Sequence, residues 1–214
     1  MARNKYPEVT VEKILEVSQR LFLEKGYDNT TIQDIVNKLG GLTKGAIYHH
    51  FKSKEEILDA LAGKLFFDNN PFVAAQNQKS LNGLQKMREV IKLNHADMDR
   101  TELGKQSIPL LKNPRLLADL TDTNRKLIAP LWLKLIQEGI EDGSIHTEYA
   151  KEIAELMPLL TSLWLLPSVF PADKEGMKRK FRFLGDMLEK MGVPLMDDSI
   201  YALVEEFFEK KSAG

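Results

Sequence analysis

The 214-residue sequence contains no cysteine, which removes several kinds of chemistry at once. Disulfide bridges, thiolate zinc sites and cysteine nucleophiles are all excluded. No uninterrupted apolar run approaches the roughly 18 residues that a membrane span needs. The first residues, MARNKYPEVTVEK, lack the apolar segment of a secretory signal peptide. These absences predict a cytoplasmic protein that does not enter a membrane.

Sequence signatures of common enzymes are also missing. There is no glycine-rich phosphate loop, no GxSxG elbow and no HExxH pair. His95 and Asp99 are four residues apart, so on a helix they share a face, and a third ligand would be needed for a metal. A surface pair explains this spacing more simply. We therefore expect neither catalysis nor a metal site, and no cofactor.

Charge is low overall but unevenly distributed. The formal net charge is −1. Residues 1–54 carry nine Lys and Arg against six Asp and Glu, a net charge of +3, so the remainder has a net charge of −4. Such asymmetry is typical of a local anion-binding face, although a small excess of this kind also arises by chance.

The stretch from Thr31 to Leu39 has the pattern of a short helix with defined ends. Thr31 and Asp34 have the spacing of a capping box. Apolar residues then recur at helical spacing, at Ile32, Ile35, Val36 and Leu39. Gly40 and Gly41 end the helix, because glycine adopts the left-handed backbone at a helix C-terminus without steric cost.

A second short helix follows the glycine turn and carries many polar side chains. Thr43 is its expected N-cap, and Ile47 is its one large apolar residue before Phe51. Ser53 with Glu56 has the spacing of another capping box, which starts a further helix. A helix, a glycine turn and a polar short helix are the plan of a helix-turn-helix DNA-binding motif. Taken alone, the polar residues would equally suit a solvated face of a small bundle.

The same residues resemble a known family. GYDNTTIQDIV followed by LTKGAIYHHFKSKEEIL resembles the N-terminal domain of TetR-type (tetracycline-repressor-like) transcriptional regulators. The resemblance covers residues 10–60 and rests on residues that occur in the family's order: Gly26, Tyr27, Thr31, Ile35, Gly40, Tyr48, Phe51 and Lys54. The turn Gly40-Gly41-Leu42-Thr43 is one residue longer than the family's usual turn. The resemblance implies a DNA-binding domain at 1–54, a linking helix at 53–69, and an effector-binding and dimerisation domain at 55–214.

Both the motif and the resemblance predict which residues contact double-stranded DNA. Lys44 is expected to donate to guanine O6 and N7, and Gly45 to let the backbone approach closely. The other expected contacts are hydroxyl, amide, imidazole and ammonium groups that bind phosphates or base edges: Thr31, Gln33, Thr43, Tyr48, His49, Lys52 and Lys54. In the family, an N-terminal arm can also reach DNA, which here would involve Arg3 and Lys5.

Helical periodicity continues through the rest of the chain, so the fold class is all-α. A first helix is expected at 10–25, capped by Thr10. Later helices are expected at 80–98, 101–112, 114–141 with a kink at Pro130, 148–169, 174–191 and 197–211. Residues 157–167 are apolar on all sides, which indicates burial on both sides, either in the core or between the core and a partner subunit.

The resemblance implies a homodimer built from the helices at 148–169 and 174–191. The expected interface residues are Leu160, Leu163, Phe181, Leu184 and Leu188. It also implies a pocket for a small, largely apolar effector, with His95 or Thr161 orienting it. The candidate lining is apolar and aromatic with a few polar groups: Ile91, His95, Met98, Trp132, Ile136, Met157, Thr161 and Trp164. We expect a repressor; a regulator that is gated by a protein partner or ungated, and a helical adaptor without DNA binding, are the alternatives.

Overall fold

The computed structural model describes residues 7–107, 114–166 and 169–210, and no strand occurs among them. Twelve α-helices are described: α1 Pro7–Lys25, α2 Ile32–Leu39, α3 Lys44–His50, α4 Lys54–Asp68, α5 Pro71–Gln76, α6 Gly83–Ala96, α7 Met98–Ser107, α8 Pro114–Thr123, α9 Ala129–Glu141, α10 Ala150–Leu159, α11 Lys174–Lys190 and α12 Asp198–Lys210. Two π-helical segments, Asn124–Ile128 and Leu160–Trp164, continue α8 and α10. No described helix is long and apolar enough to cross a membrane.

The described residues form two compact units. Unit 1 contains residues 7–69 and 98–107, and unit 2 contains the rest. Unit 1 thus includes α4, which lies beyond the predicted boundary at residue 54, and also α7, which is distant in the sequence. The division of function at residue 54 stays a prediction.

The core of unit 1 is built from the inner faces of α1 to α4 and from α7. Its fully buried members lie one per turn or so along these helices: Ile14, Leu21, Phe22, Ile35, Ile47, Ile57 and Leu61. Leu103 of α7 is 2% exposed and belongs to the same cluster. The apolar spacing read from the sequence therefore identifies the inner face of α2 and the buried anchor of α3 correctly.

Several element boundaries differ from the sequence predictions. Thr10 lies inside α1 and does not cap it. The short helix α5 was missed, although Asn70 caps it by accepting from the backbone N–H groups of Phe72 and Val73. The predicted helix 114–141 is three segments, because Pro130 has no N–H and the chain in front of it takes a π-helical turn.

Unit 2 is held together by close helix crossings. A Cβ atom on Gly83 of α6 would lie 2.1 Å from the backbone nitrogen of Gly139 in α9, so only glycine permits this approach. Next to this crossing, Lys86 forms an ion pair of 2.8 Å with Glu138. Hydrogen bonds from Lys86 and Gln76 lower the pKa of Glu138 against the opposing effect of its burial.

Candidate DNA-binding interface

The N-terminus of α2 is fixed by a complete capping box. The Thr31 hydroxyl accepts from the Asp34 backbone N–H at 3.1 Å, and the Asp34 carboxylate accepts from the Thr31 backbone N–H at 2.9 Å. The Asp34 carboxylate also accepts from the Thr31 hydroxyl at 2.7 Å. The hydrogen bond from the Thr31 backbone N–H contributes most to lowering the pKa of Asp34 to about 2, the one from the Thr31 hydroxyl comes next, and the Lys25 ammonium at 3.3 Å lowers the pKa further. Thr31 therefore has a cap function within the chain, as the sequence predicts.

The turn between α2 and α3 depends on its two glycines. Gly40 has φ 51° and Gly41 has φ 97°, and both values lie in the left-handed region. No other group lies within 4 Å of a Cβ built on either residue, so the backbone conformation and not crowding requires glycine. Two consecutive left-handed residues accommodate the additional turn residue.

The helix α3 is anchored by one buried side chain and exposes most of the others. Ile47 is 0% exposed, whereas Tyr48 is 45% exposed. Thr43 caps the helix by accepting from the Ala46 backbone N–H at 3.2 Å. The exposed residues form what we call the α3 face: Thr43, Lys44, Gly45, Tyr48 and His49. The ammonium group of Lys44 lies 5.9 Å from the centre of the Tyr48 ring.

Gly45 is not required by the fold. Its φ is not in the left-handed region, and an added Cβ would meet only the Thr43 hydroxyl, at the ordinary contact distance of 3.8 Å. Glycine in a helix costs up to about 1 kcal/mol relative to alanine. The empty space beside Gly45 therefore has no function within the described chain.

Gln33 at the start of α2 and Lys52 after α3 also have exposed side chains. The Gln33 amide donates to Asn37 at 2.9 Å, so it is oriented along α2. The backbone N–H of Lys52 donates to the Glu56 carboxylate at 2.7 Å, while the Ser53 hydroxyl accepts from the Glu56 N–H. The predicted capping box is thus present in altered form, because Glu56 binds the N–H of Lys52 and not that of Ser53.

Lys54 has an internal role that the sequence did not indicate. Its ammonium group donates to the backbone carbonyls of Tyr27 at 2.6 Å and Thr30 at 2.9 Å. It also lies 3.9 Å from the centre of the Tyr27 ring. Partial burial lowers the pKa of Lys54. These contacts fix the loop before α2, so the geometry favours a positioning role over the predicted phosphate contact.

Two polar residues of α7 stabilise the same unit. Gln106 accepts from the Tyr27 backbone N–H at 2.8 Å and donates to the Phe22 carbonyl at 3.2 Å. Arg100 donates to the carbonyls of Leu65 and Asn69, each at 2.8 Å, at the C-terminus of α4. Sequence reasoning missed both residues, because contacts across 31 to 84 residues leave no local pattern.

The predicted effector residues do not form one group. Met98 belongs to unit 1 and is 64% exposed, whereas the other seven belong to unit 2. Among those, Trp132, Ile136 and Met157 are buried, and Ile91, His95 and Trp164 are partly buried. Thr161 is exposed, and its hydroxyl already donates within the helix to the Met157 and Pro158 carbonyls. A shared pocket for the set stays a prediction.

The predicted dimer residues are also divided between the core and the surface. Leu184 and Leu188 of α11 are 7% and 1% exposed in the single chain, so they pack in its own core. Leu160, Leu163 and Phe181 are partly buried. The neighbouring Phe183 is 57% exposed and contacts Trp164 with 5.7 Å between ring centres.

The predicted DNA-binding arm lies outside the described residues, since these begin at residue 7 and the arm residues are Arg3 and Lys5.

Among the described residues, no three His, Asp or Glu side chains lie close enough to hold a metal ion. The Asp99 carboxylate, which the sequence places four residues after His95, accepts from Gln19 of α1 at 3.0 Å.

Comparison with known proteins assigns unit 1. Residues 14–61 match the model of the bacterial regulatory proteins of the tetR family. A repressor from Mycolicibacterium smegmatis, named HTH-type transcriptional repressor KstR2, is 28% identical over 146 residues, which are 64% of this chain and 68% of the relative.

Solved structures support the same fold. A transcriptional regulator from Cytophaga hutchinsonii has a TM-score of 0.61 at 19% identity and covers 95% of this chain and 94% of its own. A putative transcriptional regulator from Saccharomonospora viridis, solved in complex with choline, has a TM-score of 0.57 at 23% identity and covers 85% and 96%. The all-α prediction with an N-terminal helix-turn-helix domain is confirmed. The chain belongs to the tetR family of bacterial regulatory proteins and is a DNA-binding transcriptional regulator, not an enzyme.

Proposed function

We propose that this regulator is a homodimeric repressor that binds a palindromic operator and leaves it when a small molecule binds to unit 2. The observation that carries the proposal is the α3 face, which presents hydroxyl, ammonium, phenol and imidazole groups around a glycine that the fold does not need. The name of the Mycolicibacterium smegmatis relative supports repression over activation.

The α3 face supplies both parts of DNA recognition. Lys44 is placed one residue after the cap of α3, where a recognition helix contacts base edges, and we assign it to guanine O6 and N7. Gly45 leaves room for the DNA backbone. Tyr48, His49 and Thr43 donate to phosphates, which fixes the register of the helix without reading sequence.

Neighbouring residues add phosphate contacts. Lys52 is exposed and forms no ion pair with another described residue, so its charge is available to a phosphate. Gln33 and the first N–H groups of α2 lie at the positive end of that helix, beside the Thr31 cap. Lys54 is left out of this set, because its ammonium group binds Tyr27 and Thr30.

For the effector, unit 2 offers a hydrogen-bonded polar pair of which one member is buried. Asn124 is a buried polar residue, and its amide donates to the Ser162 hydroxyl at 2.8 Å. Each residue lies in a π-helical segment, a feature that is frequent at functional sites. Trp132 and Met157 supply apolar surface in the same unit. A largely apolar effector with one polar group fits this chemistry, and we assign its orientation to Asn124 in place of Thr161.

An effector can release DNA only through a difference in its affinity for two conformers. If it binds better to the conformer that fits the operator poorly, DNA affinity falls by the ratio of those affinities. A ratio of 10 to 100 corresponds to about 1.4–2.7 kcal/mol.

The test begins with selection of bound sequences from a random duplex pool. We expect a palindrome with half-sites about 34–36 Å apart, bound with an affinity that falls steeply with salt. A folded protein that enriches no sequence would contradict the DNA-binding role of the α3 face.

The enriched operator then becomes the probe for the effector. A small-molecule screen follows release of the labelled operator, with Asn124→Leu as the variant and Thr161→Val as its matched control. Release by an apolar compound that fails only with Asn124→Leu supports the assignment. Release by a protein partner alone would favour the protein-gated alternative.

A further inference from the structure

The loop between α1 and α2, residues 26–31, sets the position of α2. Thr30 is buried in unit 1, and Thr31, the last residue of the loop, is the N-cap of α2. Residues 40–43 separate α2 from α3, and both helices pack into one close-packed core. A displacement of the loop therefore carries α2, and with it the α3 face.

Gln106 of α7 reaches this loop from a distant part of the chain. Its side-chain oxygen accepts from the Tyr27 backbone N–H at 2.8 Å, and its amide nitrogen donates to the Phe22 carbonyl at 3.2 Å. Phe22 belongs to the last turn of α1, and Tyr27 belongs to the loop. One amide side chain thus binds a backbone group on each side of the junction between α1 and the loop.

The helix that carries Gln106 is itself held in place. Leu103 is 2% exposed and belongs to the core of unit 1. Arg100 donates to the Leu65 and Asn69 carbonyls, each at 2.8 Å. Residues at a spacing of three lie on the same side of a helix, so this side of α7 is fixed at successive turns. Gln106 therefore extends from a firm support.

Tyr27 is bound at both of its backbone groups. Gln106 accepts from its N–H, and the Lys54 ammonium of α4 donates to its carbonyl at 2.6 Å. Tyr27 is 4% exposed, so water cannot readily replace either partner. A buried backbone group that loses its partner is costly, and the loop must move to satisfy it.

We propose that Gln106 is a positioning residue for DNA binding. It fixes the Tyr27 end of the loop against α7, and the loop in turn places α2 and the α3 face for the operator. Both polar atoms of its side chain bind inside unit 1, so Gln106 acts through the position of α3 and not through a DNA contact of its own. This role rests on the proposed assignment of the α3 face to DNA, but it requires neither an effector nor a second copy of the chain.

The substitution Gln106→Met tests this role, because methionine has nearly the same length and does not reproduce the two hydrogen bonds of the amide. The Tyr27 amide proton, followed by hydrogen exchange, should then exchange on the order of tenfold faster. Affinity for the enriched operator should fall on the order of tenfold, because a displaced α3 weakens the contact of Lys44 with its base. The slope of log affinity against log salt concentration should stay unchanged, because no phosphate contact is removed.

Gln19→Met is the matched control. Gln19 of α1 donates to the Asp99 carboxylate of α7 at 3.0 Å. The same substitution there removes a hydrogen bond between the same two helices without touching the loop. It should leave both the exchange rate of the Tyr27 amide and the operator affinity at their wild-type values.

A second-site substitution separates positioning from stability. Gly63 lies in the interior of α4, and a Cβ built on it meets nothing within 4 Å, so Gly63→Ala should raise the free energy of unfolding. The double variant Gln106→Met/Gly63→Ala should regain stability in urea unfolding, while its operator affinity stays lower than that of the wild type by about tenfold. Recovery of both quantities together would show that Gln106 only stabilises the fold.

The remaining outcomes distinguish a failure of this role from a failure of the proposed function. Unchanged operator affinity together with faster exchange of the Tyr27 amide would overturn the positioning role and leave the α3 face assigned to DNA. A salt slope reduced by about 1 would also overturn it, since the loss would then come from a phosphate contact and not from the position of α3. If Lys44→Ala binds every operator variant like the wild type, the assignment of the α3 face fails, and the role of Gln106 fails with it.

Discussion

Replacing Gly45 by alanine should change the stability of the protein and its affinity for DNA in opposite directions. Within the chain the new methyl group meets only the Thr43 hydroxyl, near the 3.8 Å found for a built Cβ. Alanine lowers the conformational freedom of the unfolded chain and favours the helix. In the seven-residue helix α3, this substitution should raise the free energy of unfolding by about 0.5–1 kcal/mol.

On DNA the same methyl group occupies the space that we assign to the close approach of α3. A displacement of the helix by even part of a methyl diameter lengthens the Lys44 contact and the neighbouring phosphate contacts. Loss of one bidentate base contact costs about 1–3 kcal/mol, so operator affinity should fall on the order of tenfold to hundredfold. Non-specific binding, which depends on phosphate contacts, should fall less.

Gly63 provides the matched control. It lies in the interior of α4, has no positive φ, and a Cβ built on it meets nothing within 4 Å. Gly63→Ala should therefore stabilise the protein by a similar amount without changing operator affinity. Urea unfolding and fluorescence anisotropy with the selected operator measure the two quantities. A Gly45→Ala variant that is stabilised and binds the operator as tightly as the wild type would refute the assignment of this space to DNA.

Four other substitutions test the remaining assignments. Lys52→Ala should weaken binding to all DNA sequences alike and reduce the slope of log affinity against log salt concentration by about 1. Lys44→Ala should instead relax the preference for one base at one operator position by about 1–3 kcal/mol. Fluorescence anisotropy on operator variants measures both effects. Lys54→Met should leave the salt slope unchanged and lower the free energy of unfolding by about 1–3 kcal/mol, because it leaves the Tyr27 and Thr30 carbonyls without their donor; a salt slope reduced by about 1 would restore the phosphate role. Asp34 has a pKa depressed from 3.8 to about 2, so its contribution to stability is complete above its unfolded pKa and is lost as the pH falls through about 2. Urea unfolding of Asp34→Asn should accordingly depend less on pH between pH 2 and pH 4 than that of the wild type, and equal pH dependence would show that the cap does not persist in solution.

Local features of this sequence predict the DNA-binding motif well, because short-range rules determine them. The caps of Thr31, Thr43 and Ser53 and the two left-handed glycines all depend on neighbours within four residues. The sequence pattern also identifies Ile47 as the one buried side chain of α3. The exposure of most of the other residues of α3 could therefore be predicted as well. These features were enough to place the α3 face.

Features that depend on distant contacts could not be predicted in the same way. Nothing near Gln106 indicates that its amide bridges Tyr27 and Phe22, or that α7 would complete the core of unit 1. Leu184 and Leu188 have the spacing of an interface stripe, but a stripe of leucines satisfies a core equally well. On α11 the exposed side chains include Arg179 and Phe183, and hydrophobicity alone would not have selected them.

The residues that carried the family resemblance have two different physical roles, and this difference decides how mutations should be interpreted. Tyr27, Ile35, Phe51 and Lys54 are buried or internally bonded, and they hold α2 and α3 in position. Tyr48 faces outward. Loss of DNA binding after a change at Lys54 would therefore not identify a DNA contact, because a displaced α2 loop produces the same loss. The dependence on salt separates the two causes, since a lost phosphate contact changes the slope, whereas a repositioned helix changes the affinity at every salt concentration.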